Sequence, residues 1–63
     1  MSGVWTDKDG IDWRIEYMED DYIINCIRYI VENMKNRDDY IIPPVYYDLV
    51  REYRERIEKA KNG

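Results

Sequence analysis

Histidine and phenylalanine are both absent from this 63-residue chain, and cysteine occurs once, at Cys26. Without histidine, the side chain that most often serves as general base or metal ligand near neutral pH is missing. A single cysteine forbids an intrachain disulfide, and without histidine the usual Cys/His zinc sets cannot be built. Glycine is confined to Gly3, Gly10 and Gly63, too few and too scattered for a phosphate-cradling loop. The one serine, Ser2, lies at the N-terminus. No apolar run approaches the ~20 residues of a membrane-spanning helix, and no signal peptide is expected. An unpaired cysteine without an export signal points to the reducing cytosol. These absences predict a protein that is not an enzyme and uses no metal, cofactor or catalytic residue.

Charge narrows the field further. Ten Lys and Arg face fourteen Asp and Glu, a net charge of −4. That balance argues against a phosphate-binding surface, so nucleic acid is not expected as a partner, nor is a membrane. Arg51, Arg54, Arg56, Lys59 and Lys61 are interleaved with acids and read as ion pairs. An acidic cluster, Asp7, Asp9, Asp12, Glu16, Glu19, Asp20 and Asp21, gathers in the first third of the chain. It reads either as a solvated face or as a surface for a basic cleft.

What is abundant is tyrosine: seven, with two tryptophans. Each ring brings apolar area together with a polar tip that needs water or a partner. In a chain that buries only about 60% of its unfolded surface, such rings lie at core edges or in interfaces. Small domains without disulfides or metals gain stability from oligomerisation or dense packing.

The pattern predicts an α+β domain spanning 1–63, with an N-terminal hairpin and two helices. Val4-Trp5-Thr6 and Ile11-Asp12-Trp13-Arg14-Ile15 flank Asp7-Lys8-Asp9-Gly10, whose Asp-Gly pair suits a tight turn, giving a hairpin over 4–15. Ile11, Trp13 and Ile15 alternate with polar residues and form the face that must pack on the helices. The same turn fails as a calcium loop, because Ile11, Asp12 and Met18 fall where the pattern needs a ligand, a glycine and a glutamate. Acidic residues at 19–21 open a helix over 20–36, with Asp20 or its predecessor as cap. Pro44 opens a second helix over 44–61, supported by Glu52/Arg56, Glu55/Lys59 and Arg54/Glu58 pairs.

The helices differ in kind. The second has one apolar seam, Tyr46, Leu49, Val50, Tyr53, Ile57 and Ala60. The first carries a central Ile23/Ile27/Ile30/Met34 stripe, an Ile24/Val31 flank and a Tyr22/Cys26/Tyr29 flank, an arc of roughly 220° against ~100° for a surface helix. Either a second copy of the chain covers one flank, or the hairpin and second helix cover both. The first reading predicts a homodimer through Tyr22, Cys26, Tyr29 and Ile30.

Trp5, Gly10, Ile15, Met18, Asp20, Asn25 and Ile27 form a W-x4-G-x4-I-x2-M-x-D-x4-N-x-I pattern that resembles short phage and prophage proteins of Gram-positive hosts. The Tyr46/Leu49/Glu52/Arg56 stretch is similar to the end of those chains. The family usually has histidine where Tyr22 stands here. The resemblance implies a small counter-defence or host-takeover factor that acts by binding, in the manner of compact dimeric inhibitors of the Hachiman defence system. Its partner would be a bacterial host protein, with Trp5, Trp13, Tyr47, Asp20 and Asp21 as contact residues. The alternative is a structural or regulatory phage protein, such as an assembly or transcription-associated module.

Overall fold

The computed structural model describes residues 3–62. Strand β1 (Val4–Thr6) pairs antiparallel with β2 (Asp12–Arg14), in the register Val4↔Arg14, Trp5↔Trp13 and Thr6↔Asp12. A 3-10 turn over Ile15–Tyr17 leads to α1 (Asp20–Asn36), and an extended segment leads to α2 (Val45–Asn62). The α+β class and the order hairpin, helix, helix are those expected from the sequence.

β1 is the run foreseen, whereas β2 is one residue shorter at each end than the expected 11–15 run. Asp7 N–H donates to the Ile11 carbonyl and Gly10 N–H to the Asp7 carbonyl, both at 3.0 Å, closing a three-residue loop. Gly10 sits at φ +80°, the left-handed position that ends such a loop. Ile15 extends the ladder by donating to the Gly3 carbonyl at 3.2 Å, then leaves it as Met18 N–H bonds back to Ile15 at 3.0 Å. That reversal drops Ile15 into the core at 0% exposure, whereas Ile11, at the far end of the same face, stays 54% exposed. Only part of the Ile11/Trp13/Ile15 face is therefore covered, with Trp13 between the two extremes at 43% exposure.

Helix α1 begins after Glu19, whose carbonyl accepts Ile23 N–H at 3.0 Å. Glu19 and not Asp20 is the cap residue, and it makes no side-chain capping bond; Asp20 and Asp21 act through charge at the positive helix end. Helix α2 starts one residue later than expected. The Pro43 and Pro44 carbonyls accept from Tyr46 and Tyr47 at 2.9 and 3.1 Å, so the prolines form the lead-in turn and Val45 is the first helical residue.

The core consists of Ile15, Met18, Ile23, Cys26, Ile30 and Leu49, with Trp5, Tyr22, Ile27, Tyr40, Val45, Tyr46 and Tyr53 packed around it. Three of the six come from α1 and one from α2, so α1 is the central element, with the hairpin on one flank and α2 on the other. Fully burying such side chains is worth about 1.5–3 kcal/mol each. The α2 seam is buried at Leu49 but fades toward the C-terminus, where Ile57 is 41% exposed and Ala60 is exposed.

Arg56 ties the elements together. Its Nε donates to Glu52 Oε2 at 2.9 Å, Nη1 to Asp20 Oδ1 at 2.7 Å, and Nη2 to the Ile15 and Glu16 carbonyls at 3.2 and 3.3 Å. One guanidinium thus joins α2, the 3-10 turn and the start of α1. Glu52 first and Asp20 second raise its pKa above the ordinary value, so it holds its charge throughout.

Candidate binding groove between the hairpin and the first helix

The residues that the hairpin presents to α1 form an open groove of about 570 Å³, lined by Trp5, Thr6, Asp7, Lys8, Asp9, Tyr22, Asn25, Cys26 and Tyr29. Its shape originates in the turn. Asp7 Oδ1 accepts from the N–H groups of Asp9 and Ile11, each at 2.9 Å, while Oδ2 accepts from Trp13 Nε1 at 2.9 Å. The carboxylate both closes the loop and fixes the indole across the strand pair. Trp13 in turn stands edge-on to Tyr22, with centroids 5.6 Å apart and planes at 88°. Thr6 Oγ1 donates to Asp12 Oδ1 at 2.7 Å and braces the opposite side of the hairpin.

Protonation states follow from these contacts. The Trp13 indole, then the Ile11 amide, hold the Asp7 carboxyl below the usual aspartate value. Burial raises the Tyr22 phenol, helped by neighbouring Cys26 and Asp7, while Trp5 acts in the other direction. Burial also pushes the Cys26 thiol up to about 11. At neutral pH it is a thiol and not a thiolate, which makes it a packing residue and a poor nucleophile. Among the described residues, no cluster of three or more Cys, Asp or Glu has metal-binding geometry, and no helix is long and apolar enough to cross a membrane.

The residues singled out in the sequence are distributed unevenly. Trp5 and Tyr22 line the groove and are half-buried, Tyr29 stands at its outer end with 63% exposure, and Trp13 borders it through Tyr22. Cys26 forms the groove floor at 4% exposure, and Ile30 is enclosed at 1%. The expected dimer surface of Tyr22, Cys26, Tyr29 and Ile30 is thereby reduced to the two tyrosines, since Cys26 and Ile30 spend their apolar area inside their own chain. Asp20 is engaged by Arg56, and Asp21 beside it is exposed. Tyr47 belongs to a different surface, on α2, where it packs edge-on against Tyr46 at 5.5 Å. Sequence reasoning missed Asp7 as the clamp, although an Asp two residues ahead of another turn residue is a known way of bonding the loop backbone. It named Asn25 only within the motif, and Asn25 lines the groove from the exposed side of α1.

No family model, curated protein or solved structure matches this chain.

Proposed function

We propose that this protein acts by binding another protein, without catalysis, and that the hairpin–α1 groove supplies the contact. The observation that carries this reading is the Asp7–Trp13–Tyr22 arrangement, which holds aromatic side chains in fixed positions at the rim of an open groove. Aromatic anchors dominate binding hot spots, and anchors fixed before binding lose little conformational freedom on docking. Asp9, which lines the groove, and Asp21, next to Tyr22 in the chain, are exposed carboxylates and favour a partner with a basic surface.

The resemblance to short phage proteins adds the class of target: a component of bacterial anti-phage defence, blocked by occupancy of a functional surface. Affinity capture from a defence-positive bacterial lysate tests both parts. Wild-type protein is expected to retain a defence nuclease or helicase, and Tyr29→Ala with Asp21→Lys is expected to release it. Recovery of phage structural proteins instead would favour an assembly role and overturn the inhibitory reading. Capture unchanged by the double substitution would move the contact away from this groove.

A further inference from the structure

The two helices together form a second groove, separate from the one above. Ile24, Ile27 and Arg28 of α1 and Val50, Tyr53 and Arg54 of α2 line a depression of about 300 Å³. Its floor is aliphatic and aromatic carbon, and the two arginines are its only ionic groups. Val50 and Arg54 also belong to the outer surface of α2, so the apolar strip continues past Tyr46, Tyr47 and Arg51. Carboxylates enter only where that strip nears the C-terminus, at Glu55 and Glu58. Among the described residues, Arg28, Arg51 and Arg54 lie within 4.0 Å of no carboxylate, in contrast to Arg14, Arg37 and Arg56. Among the described residues, two of these unpaired arginines, Arg28 and Arg54, line the apolar groove and Arg51 lies on the strip beyond it; the Arg54/Glu58 pair expected from the sequence is not formed.

We propose that this groove docks an acidic amphipathic helix of another protein. Aliphatic side chains spaced three or four residues apart would enter between Ile24, Ile27 and Val50, and flanking carboxylates would meet Arg28 and Arg54. Guanidinium forks bind carboxylates through paired N–H bonds, so these arginines select for acid as well as for shape. A second copy placed on the groove by two-fold symmetry would bring only the same groove, whose ionic groups are Arg28 and Arg54, and so offers these arginines no carboxylate from that surface. Single-stranded nucleic acid wants a longer cationic track than three arginines supply, and the chain's net charge of −4 opposes it, although Tyr46, Tyr47 and Tyr53 offer rings. The groove is distinct from the hairpin surface, and its occupancy does not depend on the function proposed above.

The test uses amide proton–nitrogen spectra of the full chain. The probe is a synthetic helical peptide of about 15 residues, long enough to hold helix in a groove. It has leucine at every third or fourth position and glutamate elsewhere; a matched peptide replaces glutamate with lysine. Shifts confined to Ile24, Ile27, Val50 and Tyr53 are expected, with the glutamate peptide binding about tenfold or more tightly than the lysine one. Arg28→Glu with Arg54→Glu should reverse that preference, and Arg28→Gln with Arg54→Gln should abolish it if the reversal variant folds poorly. Equal binding of both peptides, shifts centred on the hairpin, or no shift at millimolar peptide would overturn the proposal. Concentration-dependent shifts of the same residues without peptide would also overturn it, in favour of a second copy.

Discussion

Arg56 Nη1 and Asp20 Oδ1 lie 2.7 Å apart although 36 residues separate them in the chain. The contact closes the gap between the middle of α2 and the first turn of α1. Asp20 is largely exposed and contributes little alone. The same guanidinium also satisfies two backbone carbonyls of the 3-10 turn and Glu52, so its removal opens several groups at once.

Arg56→Met is expected to lower unfolding stability by about 2–3 kcal/mol, the scale of losing charge-assisted hydrogen bonds. Arg56→Lys should recover less than half of that, because an ammonium cannot fork to four acceptors on three different elements. Asp20→Asn should cost under about 1 kcal/mol. Urea denaturation of the three variants gives the ranking.

Acid should act through Asp7. Its folded pKa lies below its unfolded value, so ionised Asp7 contributes stability in full above the unfolded pKa, and the contribution disappears as pH falls through the folded value. The Trp13 indole N–H resonance is expected to move with a midpoint below the ordinary aspartate value. Asp7→Asn should remove this transition, and an indole signal unchanged down to pH 2 would detach Trp13 from the clamp.

Cys26 should resist alkylation at pH 8, since its thiol is buried and its pKa is pushed up to about 11. Reaction with iodoacetamide is expected only after denaturation. A charge at this position strikes the core: Cys26→Asp should cost roughly 3 kcal/mol or more and lower helicity. Retained helicity in that variant would mean that Cys26 faces outward.

Gly10→Ala places a β-carbon on a residue at φ +80°, with open space around it, so backbone strain of about 1–2 kcal/mol is the whole expected cost. Gly3→Ala has a different origin. Its added carbon would meet the Asp48 carboxyl carbon at 2.8 Å, and Asp48→Ala should relieve the penalty. Thermal melts of the two single variants and the Gly3/Asp48 pair separate strain from collision.

Light scattering at tens of micromolar is expected to give one chain of 7.8 kDa. The wide apolar arc of α1 called for a cover, and the hairpin and α2 provide it from opposite flanks. A two-chain mass that Tyr29→Glu returns to one would instead place a dimer on the remaining tyrosine edge.

Local signals carried the elements well. Acidic residues before an apolar stripe marked the start of α1, and Asn36 with the charged run behind it marked the end. Pro44 announced α2 to within one residue. Periodicity could not say which element covers which flank, because that is decided by contacts such as Trp5 with the core and Arg56 with Ile15, far apart in the chain. Two residues with identical pattern, Ile11 and Ile15, end at opposite extremes of burial for the same reason. The groove was legible only through its rings. Trp5, Trp13, Tyr22 and Tyr29 were singled out, but the carboxylate that sets their geometry sat inside a turn and looked like one more surface acid.

Both tryptophans sit opposite each other on the hairpin, and every tyrosine lies outside it. Excitation near 295 nm, selective for indole, therefore reads the strands alone, while shorter wavelengths also excite the helices. Tyr22, edge-on to Trp13, is placed to pass its excitation energy to the indole when the hairpin is docked. Loss of that transfer while helical circular dichroism persists would resolve a state in which the helices remain paired and the hairpin has swung free, with no label added to the chain.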